Sequence, residues 1–238
     1  MAEWEHSLVF ASSRWQMTYG ERAALEGLAA SAQPSLAIEV GTAQGGSLDC
    51  IAAHAKEVHS FDLVPPGGDL PPNVTVHTGN SRETLPRVLG ELAEAGRTVD
   101  FALVDGDHTA AGVRADLGAV VDSPAVDRAI VVLHDTMNEE VRRGIRAVGL
   151  EDNPRVVFVD LDFVPGFLAR TGPFKGQLWG GLGLVVVNSE DRPWRDGTYE
   201  AAHADAHRLL SLGALTPRSL ARRLRQRLVD RARSRGAG

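Results

Sequence analysis

The chain has 238 residues, 43% of them hydrophobic and 24% charged, which is enough for one α/β domain with a full core and argues against a disordered or fibrous protein. Its formal net charge of −6 conceals an asymmetry: residues 216–238 hold eight Arg against Asp230 alone, a local +7 that leaves the rest of the chain at −13, and an acidic body is a poor partner for nucleic-acid phosphates. Cys50 is the only cysteine, which excludes an internal disulfide and a metal site built from cysteines, and suits a reducing compartment.

The first six residues, Met1 to His6, carry acidic groups where a signal peptide would carry positive charge, and no apolar run approaches membrane-spanning length; the expectation is a cytoplasmic protein with no membrane partner. Phe10 to Gly20 is aromatic and irregular, and residues 1–20 read as a lid segment. Glu21 to Gln33 has Leu25, Leu28 and Ala29 at helical spacing, with Pro34 closing the helix. A short apolar strand, Leu36 to Val40, ends at Gly41, and a helix follows from about Ser47 to Ala55. Strand, glycine turn and helix open a βαβ unit.

The alternation continues. Val58 to Asp62 reads as a strand, Val64 to Pro72 with its four prolines as a loop, Val74 to His77 as a strand and Glu83 to Ala95 as a helix. Val99 to Val104 is a strand stopping at Asp105, Ala110 to Val121 a helix, and Ala129 to Leu133 a strand stopping at His134-Asp135. Continuous apolar strands separated by helices indicate a parallel sheet covered on both faces. Val156 to Val159 and Gly183 to Val187 are strand-like, but glycine and proline crowd the interval without a helical pattern. An antiparallel pair joined by a long loop is expected there. Residues 21–212 thus form the domain, and 213–238 a basic helix or tail, solvated and frayed or set against an acidic surface.

Gly41-Thr42-Ala43-Gln44-Gly45-Gly46-Ser47 places free backbone N–H groups and a helix N-terminus where a polar ligand can meet them. Its G-x-x-x-G-G spacing departs from the G-x-G-x-x-G dinucleotide fingerprint, which counts against a nicotinamide or flavin enzyme without removing that alternative. Asp62 ends its strand 21 residues after Gly41, close to the offset of about 20 at which an acid takes ribose hydroxyls in nucleotide-binding units; capping of its own loop is the plainer alternative. Asp105-Gly106-Asp107-His108 and His134-Asp135-Thr136 follow apolar strands at the carboxyl end, where open α/β sheets bind ligands. Asp105 and Asp135, on neighbouring strands, can converge on one divalent cation or one hydroxyl, with His134 beside them. Asp107 or Thr109 could instead cap the next helix.

Ile38-Glu39-Val40-Gly41-x-x-x-Gly45-Gly46-Ser47, Asp62, Gly79-Asn80-Ser81 and Val104-Asp105-Gly106-Asp107-His108 occur in the order and spacing of class I S-adenosylmethionine-dependent methyltransferases. The set resembles the small-molecule O-methyltransferase branch, including macrocin-type sugar methyltransferases and cephalosporin-hydroxylase-like proteins, over roughly residues 17–190. The resemblance implies a Rossmann-like, doubly wound, mostly parallel seven-stranded sheet with an antiparallel C-terminal pair. It also implies a cofactor, S-adenosyl-L-methionine, framed by Glu39, Gly41 and Ser47 at the methionine part, by Asp62 at the ribose, by Ser81 near the adenine, with Asp105 at the site and Met17 in a segment closing over it. Related metal-dependent members carry an Asp after the fourth strand and an acidic or amide pair after the fifth; Asp105, His134 and Asp135 fall there, so Mg2+ or another divalent cation becomes an expected addition, and His134 is the departure. His108 is the expected base, since imidazole titrates near neutrality, with Asp107 as runner-up. The implied reaction is methylation of a hydroxyl on a small molecule, a sugar or specialised metabolite, by an enzyme free to form a homo-oligomer. A non-catalytic cofactor-binding relative is the remaining alternative. Trp179-Gly180-Gly181 is a candidate wall of the acceptor pocket. His203, Asp205 and His207 share a helical face if Tyr199 to Leu212 is a helix, but lack a further ligand at usable spacing.

Overall fold

A computed structural model describes residues 14–189. The expectations for residues 1–13, for the Tyr199 to Leu212 helix with its histidines, and for the basic tail lie outside the described residues.

The first helix, α1 (Tyr19–Ala32), starts two residues earlier than its apolar spacing suggests. Thr18 is its N-cap and shares a reciprocal capping box with Glu21, while Gln33 closes it in the left-handed conformation. There follow β1 (Ala37–Val40), α2 (Gly46–His54), β2 (Val58–Asp62), β3 (Val74–Thr78), α3 (Ser81–Glu94), β4 (Val99–Val104), α4 (Ala110–Asp122) and β5 (Val126–His134). The sequence pattern does not reveal α5 (Glu139–Arg146). Only Val141 and Ile145 supply it with large buried apolar groups, too few for a periodic signal. Asn138 caps it, accepting from Glu140 and Val141.

The C-terminal part holds β6 (Val156–Val164), a small hairpin of β7 (Phe167–Leu168) and β8 (Leu178–Trp179), and β9 (Leu182–Val187). Seven strands form one sheet in the order β3-β2-β1-β4-β5-β9-β6. Strands β1 to β5 run parallel, and β9 lies antiparallel between β5 and β6. This is the expected doubly wound sheet with its antiparallel pair, except that the long loop between the pair folds into its own hairpin.

One face of the sheet buries Ile38, Val40, Ala102 and Val131 with Leu85, Leu89, Leu117 and Val120 of α3 and α4. The other buries Ala37, Phe101, Leu103 and Val132 with Leu25 of α1 and Leu48 and Ile51 of α2. Alternate residues of each strand therefore point to opposite helical layers, which explains why the strands are predominantly apolar without alternation.

Register positions the functional end. Val40 pairs with Phe61 on one side and Val104 on the other, and Val104 pairs with Leu133. The next residue of each strand is thus Gly41, Asp62, Asp105 or His134, four residues at one level along the carboxyl edge.

Candidate active site

Beyond that edge lies a cleft of about 860 Å3, inside the range of roughly 300–1,000 Å3 found for small-molecule sites. The glycine turn, Asp62, Ser81, Asp105, Asp107, His108, His134 and Asp135 all line it, as do Met17 and Trp179. Cofactor-side and acceptor-side candidates, distant from one another in the chain, thereby share a single hollow. The sheet register, rather than closeness in sequence, brings the strand-end groups together.

The turn is held from below. Gly41 donates to the Phe61 carbonyl at 2.8 Å, and Asp62 Oδ2 accepts from the backbone N–H groups of Thr42 and Ala43, both at 2.8 Å, while its Oδ1 accepts from Val64 at 3.1 Å. The loop-capping alternative for Asp62 is therefore realised, with Oδ2 fully used by two amides, yet Oδ1 accepts a single bond and retains acceptor capacity. A Cβ on Gly41 would lie 2.0 Å from the Asp105 carbonyl oxygen, and one on Gly46 would lie 3.0 Å from the Trp15 backbone. The sequence suggests that these glycines make room for a ligand. In the fold the space they leave is filled by protein, by the β4 turn and by the Arg14–Met17 segment.

Glu39 does not line the cleft. It is fully buried behind the turn, accepting from Ser47 Oγ at 2.6 Å and Ser60 Oγ at 3.3 Å. Burial is the main cause that pushes its carboxyl from 4.5 up to about 8. Between those two values the unfolded chain releases the proton that the folded chain keeps, so stability falls as pH rises through that window. Glu39→Gln removes this titration. The urea-unfolding free energy of the variant is expected to gain on wild type by at most about 1.4 kcal/mol per pH unit across the window and to run parallel above it; equal pH dependence of the two proteins would refute the assignment.

Ser81 is the first residue of α3, whereas its N-cap is Asn80, which accepts from Arg82. A capping role for Ser81, which its place before the helix suggests, thus belongs to its neighbour. On the other side of the cleft, Thr109 caps α4 by accepting from Gly112. Asp107 accepts from the Thr109 amide and hydroxyl, both at 2.9 Å, and from Arg82 at 3.0 Å. Burial pushes the Asp107 carboxyl up, but those bonds together outweigh it and leave the group below its usual range, held in its turn.

The centre of the site is a cluster of alternating charge. His108 Nε2 lies 3.1 Å from Asp135 Oδ2 and 3.4 Å from Asp105 Oδ1, and His134 Nδ1 lies 2.9 Å from the same Asp105 oxygen. Hydrogen bonds from His108 to Asp105 and Asp135 push its imidazole up to about 10. Burial pulls His134 down, but Asp105 outweighs it and leaves His134 well above its ordinary value. Asp135 takes a left-handed φ of 54°, uncommon outside glycine and frequent at functional sites.

Asp105, His108 and Asp135 each offer a ligand atom within 4.8 Å of the others. Two carboxylates and an imidazole suit a divalent cation. His108 thus stands with the two acids in the place that strand order alone offers to His134. His134 turns one nitrogen to Asp105 and the other, Nε2, toward Glu21 Oε1 at 3.6 Å. Glu21 escapes sequence reasoning as a site residue. Thr18-x-x-Glu21 marks a helix start in the sequence, but nothing local reveals that the Glu21 side chain reaches across the fold.

The hairpin and its connecting loop give the cleft an aromatic wall. Trp179 meets His108 edge-on at 5.7 Å between ring centroids and Phe174 at 4.7 Å, and Phe167 lines the same end of the cleft.

Residues 38–136 match the family described as a methyltransferase domain. The matched segment runs from β1 through the end of β5, the parallel part of the sheet that carries the glycine turn and the strand-end groups. No curated protein matches the chain at a significant level. Among solved structures, this chain resembles an O-methyltransferase from Bacillus cereus in complex with SAH, at 15% identity and a TM-score of 0.53 over 73% of this chain and 83% of that one. TomG, an O-methyltransferase from Streptomyces achromogenes involved in tomaymycin synthesis and solved with SAM, aligns at 16% identity and a TM-score of 0.53, over 73% and 82% of the two chains. The mycinamycin-pathway methyltransferase MycE, solved with Mg, SAH and mycinamycin VI, aligns at 13% identity and a TM-score of 0.54, over 78% of this chain and 54% of its own. At these identities the likeness is one of fold. No helix among the described residues is long and apolar enough to cross a membrane.

Proposed function

We propose that this methyltransferase domain transfers the methyl group of S-adenosylmethionine to a hydroxyl of a small molecule. The observation that carries the reading is the shared cleft: the glycine turn and Asp62 form one end, and the Asp105–His108–Asp135 cluster forms the other. When bound, the sulfonium supplies an activated methyl group for in-line displacement by an acceptor oxygen, a reaction in which positioning provides much of the acceleration.

Asp62 accepts the ribose hydroxyls, and the turn from Gly41 to Ser47 receives the methionine part, braced from behind by Glu39. Ser81 stands at the adenine end, Met17 covers the cofactor, and Asp105 lies where the two halves meet. Asp105, His108 and Asp135 would hold a divalent cation, with His134 supporting Asp105; such an ion, when bound, supplies a Lewis acid that makes a hydroxyl easier to deprotonate. His108 is the proposed base of the cation-free site, and Asp107 is the alternative, the one left when His108 Nε2 is committed to a cation. Paired as it is, His108 keeps its proton at neutral pH, so it accepts another group's proton only once the charges of Asp105 and Asp135 are compensated from elsewhere. The aromatic wall favours an acceptor with an apolar body, and neither a nucleic acid nor a membrane enters this reading.

Calorimetric titration with S-adenosylmethionine tests the first half, with a Kd of about micromolar order expected; absence of any heat would count decisively against it. A mass-spectrometric screen of hydroxylated acceptors, run with and without chelator, tests the second half and the cation together. Once an acceptor is found, Trp179→Ala is expected to raise its KM by about 10–100-fold, the cost of losing one large aromatic contact, while the Kd for S-adenosylmethionine stays within about threefold. An unchanged acceptor KM would remove Trp179 from the pocket wall.

A further inference from the structure

Glu21 is 1% exposed although it belongs to the first turn of α1. A capping-box glutamate ordinarily returns one hydrogen bond to the N-cap amide and leaves its other oxygen to water. Here Oε2 makes that bond, accepting from Thr18 N at 2.6 Å. Oε1 turns inward, accepts from the Gly181 backbone N–H and faces His134 Nε2 at 3.6 Å. The two hydrogen-bonded backbone segments are far apart in the chain, yet both border the cleft: Met17 precedes Thr18 on the cofactor side, and Trp179 and Gly180 precede Gly181 on the acceptor side.

The surroundings leave little freedom for this arrangement. A Cβ on Gly180 would lie 2.7 Å from Glu21 Oε1, so the carboxylate occupies the space that a side chain there would need. Gly180 itself donates to Asp135 Oδ1 at 2.6 Å, and its carbonyl accepts from Met137 at 3.1 Å. The Gly180–Gly181 corner is therefore gripped by Glu21 on one side and by the β5 terminus on the other. The His134 ring lies between Asp105 and Glu21: Nδ1 is 2.9 Å from Asp105 Oδ1, while the buried Nε2 makes no hydrogen bond and faces Glu21 Oε1 at 3.6 Å as a charge neighbour. Burying an ionised carboxylate is costly unless its partners are good. Burial pushes the Glu21 carboxyl up, yet His134 and Thr18 together hold it below its ordinary value.

We propose that Glu21 is a positioning residue that ties the cofactor-side segment Met17–Thr18 to the acceptor-side corner Gly180–Gly181 and sets the ring of His134 against Asp105. The two walls of the cleft are then assembled as one unit instead of moving independently. A carboxylate is required because both of its oxygens must accept. An amide has a single acceptor oxygen, so glutamine satisfies Thr18 or Gly181 but presents an N–H to the other. Aspartate keeps the charge and can still serve as a helix cap, but it is one methylene too short to reach Gly181.

The kinetic part of this inference rests on the methyl-transfer reading; the structural part does not. Glu21→Asp and Glu21→Gln are compared with wild type by amide-resolved hydrogen exchange and by transfer kinetics. In Glu21→Asp the exchange of the Gly181 amide is expected to accelerate by about tenfold or more as its acceptor is withdrawn, with the melting temperature little changed because the cap persists. In Glu21→Gln exchange is expected to rise at Thr18, at Gly181 or at both. Both variants are expected to lose about tenfold in kcat through misplacement of the site, with the Kd for S-adenosylmethionine within about threefold of wild type. Unchanged exchange at Gly181 in Glu21→Asp overturns the tie. A fall in melting temperature with kcat intact assigns Glu21 a purely structural role and overturns the positioning claim. A wild-type protein that neither binds nor transfers defeats the methyl-transfer reading instead, and the exchange experiment still decides whether Glu21 joins the two walls.

Discussion

Asp105→Asn is expected to lower kcat by about 10²–10⁴-fold, the range associated with loss of a group that governs proton transfer in the transition state. Asp105 is the residue on which both histidines converge, His134 at 2.9 Å and His108 at 3.4 Å, and it is one of the three groups that would hold a cation. Asparagine preserves the shape of the side chain but removes the charge. The buried His134 then loses its nearest anion, and loss of one member of such a pair costs more than the pair contributes, because the survivor remains desolvated. His108 keeps Asp135 but loses its second anionic partner. Single-turnover measurement with a confirmed acceptor, beside calorimetric titration of S-adenosylmethionine, separates the two parts of the site. Retained cofactor binding with transfer abolished fits the proposed division of labour. Wild-type turnover in Asp105→Asn would place the chemistry elsewhere, and a wild-type protein that binds the cofactor but methylates no acceptor would favour the non-catalytic alternative.

The second large effect concerns the backbone. Gly41 has a φ of 87°, and a Cβ there would lie 2.0 Å from the Asp105 carbonyl oxygen, 2.5 Å from its carbonyl carbon and 2.9 Å from Gly106 Cα. All three obstacles are main-chain atoms of the adjacent strand's turn, so no side-chain rotation relieves them. Gly41→Ala is expected to cost about 3–5 kcal/mol, combining left-handed strain with overpacking, and to weaken S-adenosylmethionine binding by more than about 100-fold as the turn pulls away from Asp105. Gly90→Ala is the matched control. It lies within α3 and a Cβ there would meet nothing within 4 Å, so the substitution is expected to be neutral or to add about 0.5–1 kcal/mol by restricting the unfolded chain. Urea unfolding of the two variants reads both numbers. Similar stabilities for Gly41→Ala and Gly90→Ala would show that the turn is more pliable than its geometry indicates.

Much of the architecture is legible locally. Ala129 to Leu133 is apolar throughout, and Leu36 to Val40 and Val99 to Val104 are apolar but for Glu39 and Asp100, without the alternation of a half-exposed strand, as suits strands covered on both faces, and each stops at a glycine or a polar group. Those stops mark the carboxyl edge, and the residue pattern alone assigns Asp62, Asp105 and His134-Asp135 to it. The antiparallel strands near the C-terminus are recognisable as well, from β-branched runs that lack a helical crossover.

Other features depend on approach from a distance. The family resemblance makes Glu39 a ligand group, but strand alternation directs it into the layer beneath α2, where Ser47 and Ser60 take it up. Sequence offers Asp105, His134 and Asp135 equal claims to a cation. Packing divides them, because α1 brings Glu21 up to His134 while the turn after β4 returns His108 to the two carboxylates. Periodicity records which face a residue prefers and composition records what chemistry is available. Which side chains actually meet depends on helix packing and loop paths, set by the burial of apolar surface over the whole sheet, and that is why the carboxyl edge can be read from the chain while the partners of Glu21, Glu39 and His108 cannot.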